Sequence, residues 1–117
     1  MKQRIRFHGR ADAIADTAQA VELYAEGNDE ALTLQPADRL EVETASLTTG
    51  AGLPTLFFAE SAGSPAAGSV VLASAGPGQQ VHEFDPPRRG QAGQGLFVVS
   101  SGPNRITASV EGWLYRA

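Results

Sequence analysis

The residues that could do chemistry in this chain are few and widely spaced. There is no cysteine among the 117 residues, which excludes a thiolate nucleophile, a thiolate metal site and a disulfide. The run His82-Glu83-Phe84-Asp85 offers metal-ligand types. In a strand, however, His82 and Glu83 point to opposite faces, so at most His82, or Glu83 with Asp85, could join one site. The sequence therefore predicts no metal site and no cofactor.

Catalytic motifs are also missing. No Gly-x-Ser-x-Gly elbow occurs, and the Gly-rich segment 90–95 precedes a strand-like run instead of opening a helix. Glu41 and Glu43 share one face of a predicted strand, but their acid-rich surroundings are typical of a solvated surface. We predict that the protein is not an enzyme. A cupin-like jelly-roll enzyme built around His82 is the enzymatic alternative.

Candidate binding residues are easier to identify. Trp113 and Tyr115 share one face of the predicted last strand. There they could stack on a sugar, contact another subunit or pack inside the monomer. Arg88 and Arg89 lie in the Pro- and Gly-rich segment 85–94, which we predict to be an irregular loop that could reach an acidic neighbour. These four residues are candidate interface residues.

The distribution of charge adds two more candidates, Arg4 and Arg6. Residues 1–10 carry four basic residues and no acid, whereas residues 11–60 carry ten acids against Arg39 alone. A basic arm beside an acidic body could clasp a neighbouring subunit, although a solvated strand is the simpler interpretation. With one Lys and a net charge of −4, nucleic-acid binding is not expected.

Membrane insertion is not expected either. No apolar run approaches the roughly 20 residues that span a bilayer. Residues 1–10 have the charge of a signal peptide without its apolar segment. We therefore expect a soluble protein that has no signal peptide of its own.

Short alternating runs separated by turn residues dominate the chain. Glycine and proline make up 20 of the 117 residues, and eleven of the thirteen glycines lie at or after Gly50. Turns every 8–12 residues or so are typical of a sandwich or small barrel. We predict an all-β protein, an antiparallel β-sandwich or jelly roll of about eight strands. Residues 1–10 form a basic arm or edge strand, and residues 11–117 form a single domain.

Particular strands can be predicted within this frame. Residues 18–26 and 31–35 are predicted as a hairpin, although the alanines of 11–26 also tolerate a helix. In 39–49 the apolar alternation changes phase after Thr44, which indicates a bulge or a bend. Residues 54–60 are apolar enough for a strand buried on both faces. The last strand turns one small apolar set inward: Ile106, Ala108, Val110, Gly112 and Leu114.

Two stretches carry a family resemblance. The run Ala31-Leu-Thr-Leu-Gln-Pro-Ala-Asp-Arg-Leu-Glu-Val-Glu-Thr-Ala-Ser-Leu47 reads as a strand, a Pro-Ala turn and a longer strand, and Ile106-Thr-Ala-Ser-Val-Glu-Gly-Trp-Leu-Tyr115 ends in Gly-aromatic-Leu. Together, over about a quarter of the chain, they resemble small all-β virion proteins of tailed bacteriophages and prophages, such as capsid decoration or head-cement proteins.

The resemblance implies a structural role in the phage particle. Proteins of this kind are commonly sandwich or jelly-roll trimers, so it implies a homotrimer that binds a protein lattice, with the major capsid protein as partner. The resemblance assigns no functional role to any particular residue of this chain. A carbohydrate-binding module that uses Trp113, Tyr115 and Tyr24 is the alternative from another functional class.

Overall fold

Strands are the only regular elements of the part of the chain that the structure describes. The computed structural model describes residues 3–14, 18–27, 29–50, 53–61, 63, 69–73, 78–100 and 105–116. Among these residues there is no helix with the length and apolarity to cross a membrane. The strands are β1 (Gln3–Ile14), β2 (Gln19–Ala20), β3 (Glu22–Ala25), β4 (Arg39–Thr49), β5 (Pro54–Ala59), β6 (Val70–Ala73), β7 (Gly78–Arg89), β8 (Gly95–Ser100) and β9 (Arg105–Arg116).

These strands form two antiparallel sheets, which confirms the prediction of an all-β sandwich. The five-stranded sheet has the order β3-β1-β9-β4-β7, and the four-stranded sheet has the order β2-β8-β5-β6. Apolar side chains from both sheets meet in one core. The middle strand of the five-stranded sheet is β9, and its predicted inward set contributes Ile106, Ala108, Val110 and Leu114, each at most 1% exposed.

The predicted phase change in β4 is confirmed as a bulge. Between Val42 and Thr44 the register of β4 shifts against both β7 and β9. Leu40 and Val42 are buried before the shift, and Ala45 and Leu47 are buried after it. The extra residue lets β4 keep apolar side chains in the core on both sides of the irregularity.

At this bulge the backbone of β4 comes very close to β9. A Cβ atom added to Gly112 would collide with the carbonyl oxygen of Glu41 and lie 2.9 Å from its carbonyl carbon. The neighbouring atoms belong to a backbone that is paired in the sheet, so they cannot rotate away as a flexible side chain would. The glycine of the Gly-aromatic-Leu ending is therefore required by packing.

The prediction for β5 is also confirmed. Leu56, Phe57 and Phe58 are each at most 6% exposed, although consecutive residues of a strand point to opposite faces. Phe57 lies outside the main core and stacks on Phe97 of β8, with ring centroids 6.0 Å apart. This strand is thus buried on both of its faces.

The prediction of an N-terminal arm is wrong for the described residues, and that of an edge strand is wrong from Phe7 to Arg10, where β3 pairs with the second side of β1. β1 lies between β3 and β9, and it pairs with β9 along its whole length from Gln3 to Ile14. The physical reason is that both strands bury apolar side chains in the same core: Phe7 of β1 is 0% exposed and Leu23 of β3 is 5% exposed. The boundary placed after residue 10 falls inside this continuous strand. Its arginines point away from the core, so β1 can be internal in the sheet and still carry charge.

The prediction of an irregular loop over 85–94 is wrong in its first half. β7 continues to Arg89, and only residues 90–94 lie outside the strands. Its proline pair is tolerated because β7 is an edge strand, bonded only to β4. Glu83 pairs with Thr44 of β4, and Arg88 pairs with Val42 of β4. More residues of β7 than of β4 lie between these two pairs, so β7 bulges there.

The predicted hairpin is confirmed only around its turn. β2 pairs with β8 in the four-stranded sheet, whereas β3 pairs with β1 in the other sheet, so the chain changes sheets near Val21. After the turn, residues 31–35 contribute a single bridge, Tyr24 to Ala31, instead of a strand. The chain then leaves β3, and its next side-chain contacts are with Arg116 at the end of β9.

Asp38 makes those contacts. Its carboxylate is buried and accepts hydrogen bonds from Nε and Nη2 of Arg116, at 3.1 and 2.9 Å, and from the Gln35 N–H at 2.8 Å. Its carbonyl accepts the Gly93 N–H at 2.8 Å. Burial alone would raise the pKa of Asp38, but the bonds from Arg116 and Gln35 outweigh it and hold the pKa below its ordinary value. Asp38 thus joins three segments at one end of the sandwich.

Gly112→Ala tests the close approach of β4 and β9. We expect the free energy of unfolding to fall by at least about 2 kcal/mol, because a paired backbone must move to admit the methyl group. Gly50→Ala is the matched control, since a Cβ there meets nothing within 4 Å, and we expect a change within about 0.5 kcal/mol. Urea unfolding followed by circular dichroism measures both. Equal losses in the two variants would contradict this account of Gly112.

Asp38→Asn tests the buried ion pair. At pH 7 we expect the free energy of unfolding to fall by about 2 kcal/mol, because Arg116 loses a buried anionic partner. Folding lowers the pKa of Asp38, so this stabilisation is fully present above the unfolded-state pKa of about 3.9 and is lost as pH falls through the lower folded-state value. Urea unfolding at successive pH values should therefore measure a difference between the two proteins that narrows with acid.

Asp12→Asn is the control for this charge change, because Asp12 is exposed and lies 3.7 Å from Arg105. We expect it to cost no more than about 0.5 kcal/mol at any pH. If the difference in the free energy of unfolding between wild type and Asp38→Asn stayed constant down to about pH 2, this result would contradict the lowered pKa of Asp38.

Candidate interaction surface

The outer face of the five-stranded sheet carries the candidate surface. The pairing of β1, β9 and β4 sets its rows, with Tyr115 between Arg4 and Arg39, and Trp113 between Arg6 and Glu41. Arg89 of β7 extends the second row because it pairs with Glu41. We call this surface the arginine–aromatic face, and it consists of Arg4, Arg6, Arg39, Glu41, Glu43, Arg89, Glu111, Trp113 and Tyr115.

Guanidinium groups stack on the aromatic rings of this face. The guanidinium carbon of Arg4 lies 3.7 Å from the centroid of the Trp113 ring and 5.8 Å from that of Tyr115. Arg6 approaches the same Trp113 ring at 5.3 Å. These are cation–π distances, and they exist because β1 and β9 are neighbours in exact register. The arginines therefore cover part of the Trp113 and Tyr115 rings, and both residues are half-buried instead of fully exposed.

Arg6 is also the centre of an ion-pair cluster. Its Nη1 donates to Glu43 of β4, and its other nitrogens lie 3.5 Å from Glu26 and 3.6 Å from Glu111. The hydrogen bond to Glu43 is the largest cause of the raised pKa of Arg6. Because Arg6 and Glu43 lie on the two strands that flank β9, this pair bridges three strands. The cluster holds Arg6 in place beside Trp113.

A second carboxylate lies beside Tyr115. Glu41 is only 6% exposed, and its Oε2 accepts a 2.8 Å hydrogen bond from Nε of Arg89. The Tyr115 hydroxyl lies 3.4 Å from Oε1 of the same residue. A cavity of about 340 Å³ opens here, and its lining includes Arg39, Glu41, Arg89, Tyr115 and Arg116. The face thus ends in a concave region rich in guanidinium groups.

Five of the six candidate interface residues meet on this face. Arg4, Arg6, Trp113 and Tyr115 are in direct contact range, and Arg89 joins them through Glu41. Arg88 does not join them. It lies on the opposite side of β7, where its guanidinium carbon is 5.4 Å from the centroid of the Phe84 ring.

The residues that the sequence analysis did not connect with the aromatics are Arg39, Glu41, Glu43 and Arg116. The alternation of β4 signals that Arg39, Glu41 and Glu43 share a face. No sequence signal indicates that β4 is paired with β9. The interpretation of Glu41 as solvated is wrong, since it is buried beneath Arg89 and Tyr115.

The other candidate chemistry is dispersed. His8 of β1 stacks on Tyr24 and lies 3.4 Å from Asp29, whereas exposed His82 of β7 has Phe84 as its ring neighbour. The described residues hold no group of three or more His, Cys, Asp or Glu that could bind a metal ion. Tyr24 lies on β3, in the row of His8 and Glu111, and not beside Trp113.

Comparison of the chain with protein-family models and with curated proteins found no match. The assignment of a function therefore depends on the geometry of the arginine–aromatic face and on the sequence resemblance described above.

A double-mutant cycle tests the bridge between Arg6 and Glu43. We expect a coupling free energy of about 1 kcal/mol between Arg6→Ala and Glu43→Ala, at the upper end for partly exposed pairs, because Arg6 is held by several groups. Urea unfolding of the wild type, the two single variants and the double variant measures this coupling free energy, and added salt should reduce it. The cycle of Arg105→Ala and Asp12→Ala is the control, since this exposed pair is 3.7 Å apart and we expect no more than about 0.3 kcal/mol. Equal coupling free energies in the two cycles would contradict the role of Arg6 as the centre of this ion-pair cluster.

Proposed function

We propose that this protein is a non-enzymatic structural protein that binds a protein surface through its arginine–aromatic face. The observation that carries the proposal is the meeting of Trp113, Tyr115, Arg4, Arg6 and Arg89 on one sheet face. Tryptophan, tyrosine and arginine are the residue types that contribute most to binding at protein interfaces. Here the fold also holds them in position before a partner arrives, which reduces the entropy lost on binding.

The partner that we propose is a protein lattice of a phage particle, with the major capsid protein as its subunit. The resemblance to capsid decoration proteins supports this choice, as does a two-sheet body suited to a rigid adhesive role. We propose that the chain acts as a homotrimer in the virion, because virion proteins of this class are commonly trimeric and closed cyclic symmetry is usual for homo-oligomers.

A sugar-binding role fits the face less well. Sugars stack on open aromatic rings, but Arg4 already lies 3.7 Å from the centroid of Trp113, and Arg6 adds a second guanidinium at 5.3 Å. A sugar would have to displace a cation–π contact. The face is better matched to a partner that offers carboxylates and apolar groups together.

Light scattering coupled to size-exclusion chromatography tests the assembly. We expect a particle of about three times the 12.2 kDa chain mass at micromolar concentration. A monomer throughout the micromolar range would contradict the trimer.

Co-sedimentation with a capsid lattice tests the partner. The lattice would be assembled in vitro from a major capsid protein encoded near the gene for this chain, if sequencing of the neighbouring genes finds one. We expect binding to fall at least about tenfold in Arg4→Glu, because this exposed residue supplies the cation stacked on Trp113. Arg105→Glu makes the same charge change at the opposite end of β9 and should bind normally. The absence of a capsid gene nearby, or binding that Arg4→Glu leaves intact, would refute this proposal.

A further inference from the structure

The cavity beside Tyr115 holds more positive charge than the described carboxylates neutralise. Arg39, which lines the cavity, forms no ion pair with any described residue, and neither does Arg4, which lies on the other side of Tyr115 and outside the lining. Arg89 uses Nε for its hydrogen bond to Glu41, and its side chain is 76% exposed. A guanidinium has five N–H donors, so Arg89 keeps donors for another acceptor.

The carboxylate at the base of the cavity is already satisfied. Glu41 accepts from Arg89 at 2.8 Å, and the Tyr115 hydroxyl lies 3.4 Å from its other oxygen. A ligand that enters the cavity would meet the side chains of Arg39, Arg89 and Tyr115 together with apolar Ala37 and Leu40. This environment is complementary to a carboxylate attached to an aliphatic stem.

We propose that this cavity binds an acidic side chain, Asp or Glu, carried by an extended segment of the partner protein. The carboxylate lies between Arg39 and Arg89, and its methylene groups pack against Tyr115. The proposal rests on the proposed function, because it names the chemistry that the arginine–aromatic face recognises in its partner. It goes further by assigning Arg39, which the sequence analysis did not select.

The size and charge of the cavity favour such a segment over a polyanion. A volume of about 340 Å³ lies at the small end of the range for ligand sites and accommodates a side chain with part of its backbone. Glu41 lies at the base, and five further acids lie on the rest of this sheet face or at its edge: Glu22, Glu26, Asp29, Glu43 and Glu111. Outside the cavity, Arg6 is already paired with three of these acids, so a continuous chain of phosphates would find few unpaired cations there.

A short acidic peptide is the probe for this site. The peptide is a capped hexapeptide with three glutamates that alternate with alanine or leucine, and the matched peptide has glutamine at each glutamate position. Trp113 is the only tryptophan and lies opposite Glu41 in the register, so its fluorescence reports binding. We expect saturable binding of the glutamate peptide, with a dissociation constant on the order of 10⁻⁴ M that rises with salt, and no binding of the glutamine peptide.

Arg39→Gln is the decisive variant, because Arg39 is exposed and its removal breaks no ion pair among the described residues. We expect the dissociation constant for the glutamate peptide to rise about tenfold, which is typical for the loss of a charge-assisted hydrogen bond. Arg88→Gln is the control, since it makes the same change in net charge one residue from Arg89 but on the other side of β7. It should bind as wild type does. An equal loss in both variants, or equal binding of the two peptides, would overturn the proposal.

This experiment separates the present inference from the proposed function. Peptide binding that depends on Arg39 would uphold the cavity assignment even if the chain failed to bind a capsid lattice. Lattice binding with no response to the glutamate peptide would refute the cavity assignment alone. If the glutamate peptide instead dissociated an oligomer, and Arg39→Gln did the same, the occupant would be a second copy of this chain, and the assignment to a different partner would be wrong.

Discussion

The contact between Gly112 of β9 and the bulged backbone of β4 is the constraint on which the rest of the structure depends. Because Gly112 has no side chain, β4 can fold inward at Glu41, where any Cβ on Gly112 would collide with its carbonyl group. The bulge then changes the phase of β4, so that Leu40 and Ala45 both reach the core. On the other face, the same register places Glu41 opposite Trp113. This contact between β4 and β9 thus determines which residues of β4 reach the core and which residue of β4 lies opposite Trp113 on the outer face.

β1 extends this arrangement to the arginines. Its inner residues fill the core, and for that reason its outer residues are held in fixed rows over β9. Arg4 and Arg6 therefore stack on Trp113 because they belong to a strand paired in the sheet, and they are not part of a free N-terminal arm. Stacking also shields apolar ring surface from water while it leaves donors exposed. This combination makes the face compatible with solvent while its guanidinium donors stay accessible.

Much of the architecture could be predicted because it depends on local patterns. Alternation with period two identified most of the strands, and the phase change after Thr44 identified the bulge. The errors share one physical cause, which is that pairing partners are not encoded locally. Charge suggested that β1 was an edge strand, and the proline pair suggested that β7 ended before Asp85. The structure instead pairs the middle of β1, from Phe7 to Arg10, on both sides and places the prolines on an edge strand, where missing donors cost little.

By itself the sequence determined the fold class, from the spacing of strands and turns along the whole chain. Alternation along one strand determined the inward set of β9 and showed that Trp113 and Tyr115 share its outer face. The tertiary structure decided what surrounds those rings. It placed Arg4, Arg6 and Arg39 beside them and separated Arg88 from Arg89. It also buried Glu41 under Arg89. Such neighbours come from strands that are distant in the chain, and their register is set by the packing of the whole sandwich.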